Sequence, residues 1–144
     1  MIVAPDGSSA TFERQATLEA YATIDEVADC TCAHCRNYRA AWNLEVLEPS
    51  LREACETIGI DPKKSLEMSL IETSPLSGLA TYFGYFPFFG SVANEVKIGA
   101  GFKWWRFTST VNGTASISKR SDLVAIRFFV ELPWVLQEPK DMTT

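Results

Sequence analysis

Three cysteines and one histidine stand within six residues of this chain, in the segment Cys30-Thr31-Cys32-Ala33-His34-Cys35. Thiolate and imidazole groups are common zinc ligands, and closely spaced thiols also support disulfide exchange or nucleophilic attack. Three thiolates leave one position of a tetrahedral zinc ion open, so a fourth ligand would have to come from His34, Cys55, a carboxylate or water. This segment is the most chemically distinctive part of the sequence.

Three alternatives to a metal site remain open for the segment. The run from Cys32 to Cys35 has the local form of a thioredoxin-like redox site, with a helix starting after a strand. A nucleophilic cysteine with His34 as its base is the second alternative, although neighbouring helical positions point about 100° apart and suit Cys35 poorly. The third is packing, because cytosolic thiols often behave as small buried hydrophobic groups.

The residues just before the cysteines are acidic, at Asp25, Glu26 and Asp29. Nearby carboxylates raise the pKa of a thiol, which disfavours a reactive thiolate unless a metal ion is bound. Residues 1–72 carry 13 acidic and 6 basic side chains, against 5 acidic and 7 basic in residues 73–144. Because the net charge is −5 and no basic stripe is present, we expect no binding to nucleic acid.

The elements that must position the cysteines follow from hydrophobic periodicity. Alternation of apolar and polar residues predicts a strand over Phe12–Ile24. Cys35, Tyr38, Trp42 and Val46 then recur at helical spacing, which predicts an amphipathic helix and places the cysteine segment at its start. A second helix is predicted to begin at Pro49 and to end at Gly59 as a left-handed cap. Its apolar stripe consists of Leu51, Ala54, Cys55 and Ile58.

The second half of the chain reads as strands. Apolar and polar residues alternate over Leu66–Leu70, and an aromatic run follows at Tyr82–Phe89. The hairpin signal Asn112-Gly113 is flanked by the predicted strands Phe102–Val111 and Ser116–Leu132. The last arm carries one apolar face, formed by Val124, Ile126, Phe128, Val130 and Leu132.

These patterns together predict one α+β domain over residues 1–144, with residues 1–10 and 140–144 frayed. Two helices are expected on one face of a mainly antiparallel sheet of about five strands, in the order β-α-α-β-β-β-β.

Aromatic residues supply a second set of candidates. Tyr82, Tyr85, Trp104 and Trp105 could line a ligand pocket or a homodimer interface, although such residues are more often core. The uncharged stretch between Glu72 and Glu95 is interrupted by proline and glycine, which favours buried strands over a membrane span. The N-terminus lacks the basic and apolar segments of an export signal, so we expect a cytoplasmic protein.

The sequence resembles a family of uncharacterised bacterial proteins with a Cys-x-Cys-x-x-Cys-x-Asn motif over roughly residues 18–139. The matching segments are Cys30–Tyr38, Leu51–Ile58, Gly59–Pro62, Tyr82–Phe86, Gly90 and Glu131–Trp134. The resemblance implies a bacterial cytoplasmic origin and a single-domain architecture, and it supplies no catalytic residues. It adds Asn37, which could cap or bridge to the cysteine loop or face solvent.

The sequence therefore indicates a small non-enzymatic binding or regulatory protein with a cysteine loop that organises a corner of the fold, around zinc if a metal is bound. A thiol-dependent oxidoreductase using Cys32 and Cys35 is one alternative, and an oligomeric interaction subunit is the other.

Overall fold

The computed structural model describes residues 1–23, 33–64, 67–73, 78–95, 105–109 and 122–136. Its helices are α1 (Arg14–Ala22), α2 (Ala33–Ala41) and α3 (Pro49–Ile58), with a 3₁₀ turn at Leu44–Val46. Its strands are β1 (Ile2–Val3), β2 (Ser9–Phe12), β3 (Glu67–Thr73), β4 (Leu79–Ala93), β5 (Trp105–Thr108) and β6 (Leu123–Pro133).

One long strand organises the sheet. The order is β1-β2-β4-β6-β5, and β3 also pairs with β4. Along one edge of β4, its first half pairs with β3 and its last residues pair with β2, while β6 follows the other edge from Leu79 to Phe89. All described pairings are antiparallel, so the predicted α+β class with a mainly antiparallel sheet is confirmed.

The core lies between the helices and the inner face of β4 and β6. The predicted apolar face of β6, from Val124 to Leu132, is confirmed, since its alternate residues are at most 7% exposed. Phe86 of β4 stacks on Phe128 of β6 with ring centroids 4.2 Å apart. Buried side chains of all three helices belong to the same hydrophobic cluster, and burying this apolar area is the main term that stabilises the fold.

The predicted strand from Phe12 to Ile24 is wrong, because only Phe12 among its described residues belongs to a strand and α1 begins at Arg14. The helix buries Thr17 and Tyr21, which are one helical turn apart. The Thr17 hydroxyl donates to Glu13 O and accepts from the Phe89 amide, while the Tyr21 hydroxyl donates to Pro87 O at 2.7 Å. These long-range hydrogen bonds to β4 favour a helix, and the alanines and leucine that suggested a strand are themselves good helix formers.

The two predicted helices are confirmed. α2 is shorter than its apolar stripe suggests, since it ends at Ala41 and Val46 lies in the 3₁₀ turn. α3 begins at Pro49, where the Glu48 carboxylate accepts from the Leu51 amide, and it ends at Gly59 in the left-handed conformation with φ 96°. Glycine adopts that conformation without a steric penalty.

The first ten residues, for which the sequence predicts fraying, contribute β1 and part of β2 to the sheet. Ala4, Ser8, Ser9 and Ala10 are all at most 4% exposed. At the other end, the predicted pairing between the last two arms is present as β5 with β6. The turn at Asn112-Gly113 lies outside the described residues, as do Trp104 and residues 140–144.

Candidate functional site

The start of α2 carries the described part of the cysteine segment. Ala33 is the first residue of the helix, and Cys35, in its first turn, is half-buried. Cys30, Cys32 and the side chain of His34 lie outside the described residues. The sequence places the segment between a strand and a helix, but the described element before it is the helix α1, and the segment leads into α2. The described neighbourhood therefore lacks the strand-before-helix arrangement of a thioredoxin-like site.

Asn37 fixes the first half of α2 to the sheet. Its side chain is completely buried, and its amide nitrogen donates to Pro133 O at 3.1 Å and to the Tyr82 hydroxyl at 3.3 Å. Its amide oxygen accepts from the Val135 amide at 2.7 Å. A buried amide needs such partners, and Asn37 has them on both its donor and its acceptor side.

The geometry of these bonds resembles strand pairing. The Trp134 amide donates to Gly78 O on the β4 side, whereas Pro133 O and Val135 N both point to Asn37. Because alternate backbone groups of an extended chain point to opposite edges, the Asn37 amide continues the ladder at the end of β6 as a neighbouring strand would. The burial of Asn37 excludes the solvent-facing role that the sequence leaves open, and its bridge to the end of β6 is a role that the sequence does not predict.

The Asn37 contact is surrounded by aromatic packing. The rings of Tyr38 and Tyr82 meet edge to face, with centroids 5.1 Å apart. Tyr38 is 5% exposed and Tyr82 is 0% exposed. The beginning of α2 is thus held by a hydrogen-bonded amide and a close ring contact within two neighbouring residues.

The aromatic pocket candidates occupy different places. Tyr82 and Trp105 lie on the inner face of the sheet, and the Trp105 indole donates to the Glu48 carboxylate and to the Ser50 hydroxyl at 2.9 Å. Tyr85 is half-exposed on the outer face, beside the ring of Phe83 at 5.2 Å. The structure does not bring Tyr82, Tyr85 and Trp105 to one surface.

Cys55 is a core residue of α3. It is 1% exposed, and burial raises the pKa of its thiol, so the neutral form persists at neutral pH. Metal coordination requires the thiolate, which makes Cys55 a poor zinc ligand. Among the side chains that the structure describes, no three His, Cys, Asp or Glu residues are grouped closely enough to hold a metal ion.

Sequence reasoning missed a cavity of about 520 Å³ between α1 and α3. Its lining includes Arg14, Arg52 and Lys64, which the sequence leaves without a role. The cavity exists only because residues 14–22 form a helix, and a strand prediction for that segment hides it. The Gly59-Ile60-Asp61-Pro62 run after α3 was the one local signal that a structured loop lies here.

Comparison with known proteins assigns no family, since no family model, curated protein or solved structure matches the chain. None of the helices in the described part of the chain has the length and apolar character that crossing a membrane requires. The functional argument therefore depends on this chain's own geometry.

Proposed function

We propose that this protein is a small cytoplasmic, non-enzymatic binding protein whose Cys30–Cys35 segment binds zinc at the beginning of α2. The observation that supports the proposal best is the buried Asn37 amide, which ties α2 to β6 two residues after Cys35. A metal site requires ligands held in a fixed geometry, and a rigid helix supports such a site better than a free loop.

The ligand set follows from the chemistry of the segment. Cys30, Cys32 and Cys35 supply three thiolates, and His34 or a water molecule supplies the fourth ligand of a tetrahedral ion. Cys55 is excluded from the set by its burial and its raised pKa. A divalent cation also offsets the repulsion between the thiolates and the nearby acidic residues, which would otherwise keep the thiols protonated.

Zinc content tests this proposal directly. Protein purified without chelator is expected to contain stoichiometric zinc by elemental analysis. Single substitutions Cys30→Ser, Cys32→Ser and Cys35→Ser should each reduce the zinc content. The matched control is Cys55→Ala, which removes a thiol outside the proposed ligand set and should leave the zinc content unchanged. Zinc-free wild-type protein that also fails to take up added zinc would refute the proposal.

A thiol titration separates zinc binding from the oxidoreductase alternative. In the native zinc-bound protein we expect no fast-reacting thiol, because the metal protects three cysteines and the core protects Cys55. A chelator should expose three thiols, and a denaturant should expose the fourth. One fast-reacting thiol of low pKa that is insensitive to chelator would favour a thiol-dependent enzyme instead.

A further inference from the structure

The cavity between α1 and α3 is a second feature to which the proposed zinc site gives no role. Its walls are α1, α3 and the loop that follows α3, and its volume is about 520 Å³. Pockets for small molecules range over roughly 300–1,000 Å³. The apolar part of the lining includes Leu18, Ile60 and Pro62. The cavity is therefore large enough for a small organic molecule with an apolar body.

Two contacts hold α1 against the other walls of this cavity. At one end Gly59 lets α1 approach α3, since a Cβ atom there would lie 2.9 Å from Arg14 O and 3.0 Å from Leu18 Cγ. At the other end the Lys64 ammonium donates to Tyr21 O at 2.9 Å and ties the loop to the C-terminal end of α1. A cation is favoured at that end of a helix, so Lys64 is held with its charge beside the cavity.

One charged residue of the lining, Arg52, also has an unsatisfied donor. Arg52 Nε is buried and has no hydrogen-bond partner within the described part of the chain. Burying an N–H group without a partner costs about 1–3 kcal/mol, and a guanidinium group is an especially good receptor for a carboxylate or phosphate. Arg14 lines the same cavity from α1 and is exposed. An anion in the cavity would lie beside Arg14 and Arg52, which both line it.

The balance of charge limits which anion fits. Arg14, Arg52 and Lys64 contribute three positive charges to the lining, and Glu56 and Asp61 contribute two negative charges. The resulting excess of a single positive charge matches a monoanion, and the two carboxylates would repel a polyphosphate. A carboxylate attached to an apolar body satisfies both the charge and the apolar wall.

We propose that this cavity binds a small organic carboxylate, with Arg52 receiving the carboxylate, Arg14 and Lys64 adding positive charge, and the apolar body packing on Leu18 and Ile60. No described residue of the Cys30–Cys35 segment lines this cavity, so a negative result for zinc binding would not contradict carboxylate binding. Binding of such a ligand also stabilises the folded state, by a free energy that grows with the logarithm of the ligand concentration above Kd.

The test uses calorimetric and thermal-shift titration of the full chain with benzoate, phenylacetate and hexanoate. The corresponding neutral amides and inorganic phosphate serve as probes of the charge and of the apolar body. We expect at least one carboxylate to bind and to raise the melting temperature, and we expect its amide and phosphate to bind at least about tenfold more weakly. Equal binding of an acid and its amide would overturn the proposal, as would the absence of binding by all three acids.

Two variants test whether the carboxylate binds in this cavity. Arg52→Met should weaken carboxylate binding about tenfold or more, while the melting temperature of the ligand-free protein stays the same or rises because an unsatisfied donor is removed. Lys63→Gln is the matched control, since Lys63 is an exposed cation next to the cavity that does not line it, and binding should change by less than about twofold. Unchanged binding by Arg52→Met would refute the assignment of Arg52.

Discussion

Replacing Asn37 by alanine should be among the most destabilising single changes in α2. The substitution removes three hydrogen bonds, to Tyr82 Oη, Pro133 O and Val135 N. Each net hydrogen bond contributes about 1 kcal/mol, and partners left without a hydrogen bond add a desolvation cost, so we expect a loss of about 3 kcal/mol in the free energy of unfolding. Since the side chain is completely buried, water cannot replace the amide without rearrangement.

Asn37→Asp tests the donor side of the amide alone. The shape is kept and the Val135 amide still has an acceptor, but an ionised carboxylate would face Pro133 O and cannot donate to it. The folded state should therefore favour the protonated acid, which raises the pKa of Asp at this position above its unfolded value. Because the folded state then binds more protons, the variant should lose stability as pH rises above about 4, by about 1.4 kcal/mol for each unit of the pKa difference.

Urea denaturation followed by tryptophan fluorescence measures both variants against wild type. Asn43→Ala is the matched control, because Asn43 is exposed and, within the described part of the chain, its side chain accepts one hydrogen bond, from the Glu45 amide at 2.9 Å. The expected loss is therefore below about 1 kcal/mol. A loss below about 1 kcal/mol for Asn37→Ala, or a pH-independent loss for Asn37→Asp, would show that the amide does not hold α2 to the sheet.

Two further predictions concern the ends of α3. Gly59→Ala should cost about 2 kcal/mol in urea denaturation, because the residue has φ 96° and the new Cβ would lie 2.9 Å from Arg14 O. Gly78→Ala, at φ 71° with open space around it, should cost only about 1 kcal/mol, and equal losses would argue against the α1 contact. At the other end, burial tends to raise the pKa of Glu48, but hydrogen bonds from Ser50, the Leu51 amide and Trp105 lower it overall. This carboxylate therefore stabilises the fold above the ordinary glutamate pKa and loses that effect as pH falls through its lowered value, so Glu48→Gln should flatten the acid side of the stability profile.

Local signals in the sequence predict the second half of the helical region well. α3 begins at Pro49 and ends at Gly59 as its spacing indicates, because helix start, apolar stripe and cap are all encoded within a few residues. The alternation from Val124 to Leu132 likewise predicts the inner face of β6. The same reasoning fails at residues 14–22, where the two buried positions are Thr17 and Tyr21 and their partners lie on β4.

The two candidate sites also differ in how far the sequence predicts them. The spacing of Cys30, Cys32 and Cys35 identifies a chemically distinctive segment, and the helical stripe after it correctly predicts a helix there. The cavity beside Arg52 has no comparable signal, because its lining comes from α1, α3 and a loop whose side chains are brought together only by packing.

The sequence by itself determined the elements and faces that depend on neighbours in the chain, such as the Gly59 cap and the apolar side of β6. Only the tertiary structure decided the role of Asn37, whose partners are 45, 96 and 98 residues away in the chain. An amide side chain suits a turn, a cap or a core equally well, and its partners are chosen by the packing of α2 against the sheet. The physical reason is that a hydrogen bond between distant residues leaves no periodic trace in the sequence around either of them.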